Sequence, residues 1–226
     1  AMVAEGGTKP ESTYAFQMRT IVAKTIAHWV PASVQILEDA PQLADVIDTE
    51  LRYGLALRED AQLLSGDGVG ENLDGLVANA TTFVAPFDPA GADTMLDTIA
   101  LAILQGALAD FAPSGVIMHP SDWMRIRLLK DADGKYLLGD PGAQVTPMLF
   151  GLPVVPTTAM TIDKFLVGDF PAAATLYDRW EPRVEVSTEH ADFFVKNLVA
   201  IRAEERIALA IKQAGALIFG DFGNVA

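Results

Sequence analysis

Apolar positions along this chain change their period several times, and each change marks an element. Between Pro41 and Leu64, Leu43, Ile47, Leu51 and Leu55 recur at four-residue steps, with Val46 widening the stripe, which is the pattern of an amphipathic helix. Asp39 is placed to cap that helix, Pro41 suits its first turn, and Ser65-Gly66-Asp67-Gly68 stops it. At 1.5 Å per residue the helix is a rod of ~36 Å, long enough to need a sheet or another helix along its length. Before it, Glu5 to Ser12 is polar and turn-rich and leads into two extended-looking runs. The second, Lys24 to Val30, has the β-branched and aromatic content of a strand. The pattern predicts a long hairpin or protruding loop whose small, charged tip has little to bury and stays mobile unless something outside the subunit holds it.

Beyond a glycine-rich loop at Ser65–Gly75 the segments become shorter. Thr94 to Asp110 reads as a helix, Gly115 to Met118 as a short buried strand, and His119-Pro120-Ser121-Asp122 as the opening of a helix through Leu129. Asp131 to Gly134 is a turn. Leu152–Thr157, Phe165–Gly168 and Ala174–Tyr177 read as strands broken by Pro, Gly and Asp, followed by an alternating Val184-Glu185-Val186. From Phe193 to Ile211 period two takes over. Phe193, Val195, Val199, Ile201, Ile207, Leu209 and Ile211 make an apolar side, and Lys196, Arg202, Glu204 and Arg206 a charged one. Asn197 and Glu205 interrupt the apolar side, and whether a bulge moves them is open at this level. Ala216 to Phe219 closes the ordered chain. No internal repeat or low-complexity linker separates two units, so any two domains are interwoven.

Composition narrows the function. The chain has 226 residues, half of them apolar, with a formal charge of −14, which is globular and acidic. An acidic surplus is the wrong sign for gripping nucleic acid through its phosphates. Cysteine is absent, which excludes disulfides and thiolate metal sites. Three separated histidines, His28, His119 and His190, make a histidine-rich metal centre a poor expectation. The longest apolar stretch, Ile99 to Ala109, is shorter than the ~20 residues that span a bilayer. The first residues lack the basic and apolar regions of a signal peptide. A methionine at position 2 suggests that the natural beginning lies elsewhere.

Candidate chemistry is sparse. The amides of Gly66, Asp67 and Gly68 partly resemble a phosphate cradle, but the loop follows a helix, no Gly-Lys-Ser/Thr completes it, and a helix stop with a turn is the ordinary alternative. A calcium loop fails because Gly and Val stand where oxygen ligands belong. His119, Ser121 and Asp122 are too close on a helix start to form a triad and read as a cap with first-turn acids. His28 beside Trp29 reads as a packed strand residue, and Trp123, Ile126 and Leu129 as core.

The runs Lys24-Thr-Ile-Ala-His-Trp-Val-Pro-Ala-Ser33, Asp39-Ala-Pro41, Tyr53-Gly-Leu-Ala-Leu57 and Gly66-Asp-Gly-Val-Gly-Glu-Asn-Leu-Asp-Gly75 resemble, in order, the tailed-bacteriophage major capsid proteins of the Hong Kong 97 type. Gly151-Leu-Pro-Val-Val-Pro156, Val184-Glu-Val-Ser187, Phe194-Val-Lys-Asn197 and Glu204-Glu-Arg206 continue the likeness over almost the whole chain. It implies an α+β capsid fold with an extended loop, a long spine helix on a long β-sheet, and a compact mixed αβ axial domain. The corresponding boundaries are 1–30 for the loop, 31–65 and 180–211 for the peripheral domain, and 66–179 and 212–226 for the axial domain. The N-terminal arm and scaffolding segment that such proteins carry have no counterpart in these residues.

The resemblance also implies a function. The chain is expected to be structural and not an enzyme, without cofactor or metal, associating with itself in the hexamers and pentamers of an icosahedral phage or prophage shell. Portal and scaffold or protease proteins are expected partners. DNA is enclosed without specific binding by an acidic wall, and there is no membrane. The location is the virion capsid, assembled in the bacterial host cytoplasm. One family member welds its subunits by isopeptide bonds, and the matching positions are Lys9 as amine, Asn197 as carboxamide and Glu204 as the assisting carboxylate. Loop-tip charge for Lys9 and an ordinary charged face for Glu204 are the plain alternatives. An encapsulin-like compartment and, from a different class, a nucleotide-binding enzyme using Gly66–Gly75 are the competing functions.

Overall fold

A computed structural model describes residues 2–11, 13, 18, 20–39, 41–89, 94–131, 133–138 and 146–223. In chain order the elements are β1 (Lys24–Ser33), α1 (Val34–Asp39), α2 (Pro41–Ser65), α3 (Leu76–Asn79), β2 (Thr81–Thr82), α4 (Met95–Leu108), β3 (Gly115–Met118), α5 (Pro120–Arg127), β4 (Met148–Leu149), β5 (Leu152–Pro156), β6 (Lys164–Gly168), α6 (Phe170–Ala173), β7 (Ala174–Ser187), α7 (Phe193–Lys196), β8 (Leu198–Ile211), a 3-10 turn (Ala214–Ala216) and β9 (Leu217–Asp221). The first expected run of the hairpin falls largely outside the described residues, as does Ala132 of the expected turn, and the expected cap at Asp39 falls outside the described side chains.

The 25-residue α2 lies across a three-stranded antiparallel sheet of order β1-β8-β7. Its four-residue stripe works in the middle of the helix, where Leu51 and Leu55 are buried and Leu51 packs on Val199, Ile201 and Ala203. Towards its start the stripe lifts off: Val46, expected to widen the apolar face, is exposed, as is Leu43. A straight rod can follow a twisted sheet over only part of its length. His28 of β1 is packed as expected. Its Nε2 donates to the carbonyl of Leu51 at 2.9 Å, under Gly54, where a Cβ would come within 2.9 Å of the ring.

The second sheet has six strands in the order β2-β9-β6-β3-β5-β4, with β3 parallel to β5 and antiparallel to β6. Alternate residues serve opposite faces. Val116, Met118, Phe165 and Val167 meet Met95, Ile99 and Ala102 of α4 and Ile126 of α5 on one side. Leu166 and Leu217 meet Leu64, Met160 and Ala173 on the other. Thr94 opens α4 with a capping box to Asp97, and α5 stops at Arg127, short of the expected Leu129.

Two strand expectations are corrected. Ala174–Tyr177 and Val184–Val186 are ends of one 14-residue strand, β7, because register shifts around Trp180 absorb Pro182 within continuous pairing to β8. The long strand starts at Leu198, not Phe193. Phe193–Lys196 form a helical turn that Asn197 ends at φ +53°. The turn buries Phe193 against Trp29 and His190 and turns Val195, expected in the core, 79% exposed beside Phe194 at 81%.

Candidate functional site

Lys9, Asn197 and Glu204 are held by different local physics. Lys9 is exposed just beyond a turn closed by Gly7 N–H donating to the carbonyl of Ala4 at 2.9 Å. Asn197 is exposed in the left-handed conformation that Asn tolerates better than most residues. Its carbonyl accepts the N–H of Val34 at 3.0 Å, which joins the start of β8 to the start of α1. Glu204 lies on the opposite side of β8 from Glu205, facing Arg183 and Arg202. Arg183 Nε donates to its Oε1 at 3.0 Å and Arg202 NH2 at 3.2 Å, with a further short contact from Arg183 NH2. Glu185 completes a four-membered ion network with Arg202 at 2.6 Å and Arg183 at 3.4 Å. Only 8% of the Glu204 side chain is exposed, and its bond to Arg183 raises the pKa of that guanidinium. Both Arg183 and Arg206 stack on Trp180, at 4.7 and 5.6 Å from the ring centre.

Among the described residues no hydrogen bond or ion pair joins Lys9, Asn197 and Glu204. Seven residues of extended chain separate the last two, about 23 Å at ~3.3 Å each, so one copy of the chain cannot bring its own carboxamide to its own carboxylate. Alternation in the sequence predicts Asn197 on the apolar face; the helical turn before it takes it out of the strand altogether. Arg183 is a partner of Glu204 that the sequence does not signal. It lies 21 residues away across a pairing whose register depends on a bulge.

The other candidates resolve into scaffolding. In the glycine-rich loop the amides of Gly66, Gly68 and Gly75 donate to the carbonyls of Gln62, Leu73 and Gly66 at 2.9–3.0 Å. Those of Val69 and Leu73 donate to the side chains of Asp67 and Gln62. Donors engaged in this way are not free to cradle a phosphate, and they include two of the three expected amides, those of Gly66 and Gly68. Asp67 also accepts from Asn72 Nδ2 at 2.7 Å, and that bond, with the Val69 amide, lowers its pKa. His119 Nδ1 accepts the Ser121 N–H at 3.1 Å as a helix cap. Asp122 is buried, accepting the Asp163 N–H at 2.7 Å and pairing with Arg125 at 3.3 Å; the three residues form no triad. Among the described residues no group of His, Asp and Glu has metal-ligating geometry, and no helix is long and apolar enough to cross a membrane.

A rod-like helix on a long narrow sheet, joined to a compact αβ unit, with an ion network gathered around the buried Glu204 carboxylate on the sheet, describes a structural tile. The same architecture occurs in solved capsids. The capsid of an empty GTA particle aligns with a TM-score of 0.71 and 22% identity over 97% of this chain and 81% of that one. A Microbacterium phage Oxtober96 structure aligns with a TM-score of 0.73 and 22% identity over 97% and 78%. At that identity the likeness shows the fold, which is of the Hong Kong 97 capsid type.

The chain belongs to the phage capsid family, whose profile matches residues 1–222. It is 47% identical over 223 residues to the major capsid protein of Enterobacteria phage HK97, covering 99% of this chain. It spans 58% of the length of that curated relative.

Proposed function

We propose that this chain forms the lattice of a tailed-phage head, as the shell-building part of a major capsid protein that associates with copies of itself in hexamers and pentamers. The observation that carries this reading is the pairing of a capsid-type fold with unburied apolar surface distributed over it. Tyr53 and Leu57 on α2, Tyr177 and Trp180 on β7 and Phe194 and Val195 at α7 are all exposed in the single subunit. Apolar surface of this extent is what neighbouring subunits cover. Within the lattice, residues 1–30 serve as the extended loop, 31–65 and 180–211 as the peripheral domain, and 66–179 and 212–226 as the axial domain. Portal, scaffold or protease proteins are its assembly partners in the host cytoplasm, and DNA lies inside without specific contact. Electron microscopy of sedimenting particles from cells expressing the gene should find this chain in closed icosahedral shells. Its recovery only as a dispersed species would overturn the reading.

The same reading extends to a crosslink between subunits. The neutral amine of Lys9 from one subunit attacks the Asn197 side-chain carbonyl carbon of another. The new C–N bond forms, the old one breaks, and the proton lost by the amine leaves with the amide nitrogen as ammonia after passing through a carboxylate, Glu204, from a further subunit. The ~23 Å between Asn197 and Glu204 along one strand supports an arrangement assembled from several copies. Denaturing gels of mature shells should give ladders that Lys9→Ala and Asn197→Asp each abolish; monomer bands alone from the parent shells would end it.

A further inference from the structure

The three-stranded sheet carries a buried titratable group that neither the fold nor the proposed crosslink uses. Glu205 stands on the apolar side of β8, between Ala203 and Ile207, and is 1% exposed. Its pairing to β1 runs without a shift from Lys24↔Ile207 to Ser33↔Leu198, so no bulge turns it outward. Its Oε1 is buried with no hydrogen-bond partner. A carboxylate so placed is strongly disfavoured unless it is paired or neutralised.

Among the described residues no cation pairs with it. The charges that act on it are negative, Glu59 from α2 and Asp178 from β7, with Asp60 and Asp178 acting in turn on Glu59. From β1 its register partner is Ile26. Lys24 and His28 on the same side of β1 are engaged elsewhere, Lys24 with Glu71 and the Gly70 carbonyl and His28 with the Leu51 carbonyl. Arg206 turns to the other side, over Trp180, and Arg183 and Arg202 belong to Glu204. Arg58 and Arg179 are exposed, and among the described residues neither forms an ion pair with Glu205, Glu59, Asp60 or Asp178. Among the described residues the carboxylates do not converge into a metal-ligating group, and a proton is the species that neutralises a carboxyl without a cationic partner.

We infer that the contact between α2 and the three-stranded sheet is a proton-gated joint: Glu205 holds it closed while protonated, and its ionisation sets Glu205 against Glu59 across the helix–sheet interface and against Asp178 on the neighbouring strand. Burial first, then the charges of Glu59 and Asp178, push the Glu205 pKa from 4.5 up to about 7. Burial, Asp178 and Asp60 raise Glu59 as well. The joint therefore changes charge around neutrality, in a part of the pH scale where ordinary carboxylates are fully ionised. This inference stands on the fold of one subunit and is independent of shell formation and of the crosslink.

The sign follows from linkage. A carboxyl whose folded pKa is raised stabilises the fold fully below its unfolded value, near 4.5, and that contribution is lost as pH rises through about 7. Urea unfolding of the full chain from pH 4.5 to 8.5, set against Glu205→Gln, tests it. Relative to the variant, the unfolding constant of the parent should rise roughly tenfold per pH unit, about 300-fold in all, and then level off above pH 7. Parallel profiles throughout overturn the inference. Should the variant fail to fold, carboxyl 13C NMR of the parent decides: a Glu205 titration near 7 that Glu59→Gln moves downward supports the joint, and one near 4.5 refutes it.

Discussion

Replacing Leu51 by alanine removes most of an apolar side chain that is 5% exposed and wedged between α2 and Val199, Ile201 and Ala203 of β8. Three deleted carbons at about 0.8 kcal/mol each give ~2.4 kcal/mol of lost transfer energy. Incomplete collapse of the space adds to that, within the 2–5 kcal/mol span for buried Leu→Ala changes. The loss falls at the middle of a rod whose first turns already stand off the sheet. Ile47 on one side and Leu55 on the other are the helix positions of the same stripe that remain to hold it. The comparison that gives the test its force is Leu57→Ala on the same helix, where the side chain is 44% exposed and the cost should stay below about 1 kcal/mol. Urea denaturation of both variants at fixed pH, followed by far-UV circular dichroism, measures the two shifts. Equal midpoints for the two variants would refute the placement of the Leu51–Leu55 stripe against the sheet, and with it the orientation of the spine helix.

Two further outcomes follow from the glycine-rich loop. Gly66→Ala should lower the melting temperature by several degrees, because the added Cβ would lie 2.3 Å from the Leu73 carbonyl oxygen and 2.5 Å from that of Gln62, both backbone atoms. Asp67, held ionised by Asn72 and the Val69 amide, contributes order to the loop above its unfolded pKa and loses it as pH falls through the lowered folded value. Amide exchange of Val69 should therefore quicken in strong acid, and in Asn72→Ala the change should move to higher pH.

Local periodicity carries the legible features. The four-residue stripe of Leu43, Ile47, Leu51 and Leu55 locates α2 to within a residue at its end, since a helix is the one element that brings those positions to a common face. Gly115–Met118 has the same bounds in sequence and structure because Val116, Ile117 and Met118 run unbroken between Ser114 and His119. What escapes the sequence is set by tertiary partners. Phe193 to Asn197 alternate like a strand, yet one aromatic pocket formed by Trp29 and His190 draws Phe193 in and winds the backbone into a turn. The Arg183–Glu204 bond depends on irregular register in β7, which no spacing rule foretells. The ambiguity at Glu205 is visible in the alternation itself, as one acid among aliphatic residues, and only the uninterrupted pairing with β1 decides where its side chain goes.

β8 is the middle strand of its sheet, and one of the two strands it must meet is synthesised long before it. Arg206 donates to the carbonyl of Ala23 across 183 residues of chain. At about 5–20 residues per second a ribosome needs roughly 10–40 s to traverse that interval. Throughout it β1 has no strand to pair with and α2 has no platform, while the αβ unit between them can already gather its own core up to β6. The three-stranded sheet thus takes shape only late in translation, and β9, made after β8, then enters the six-stranded sheet between β2 and β6. Neither sheet can be completed until nearly all of the chain has been made, so the two reach their final form together at the end of synthesis.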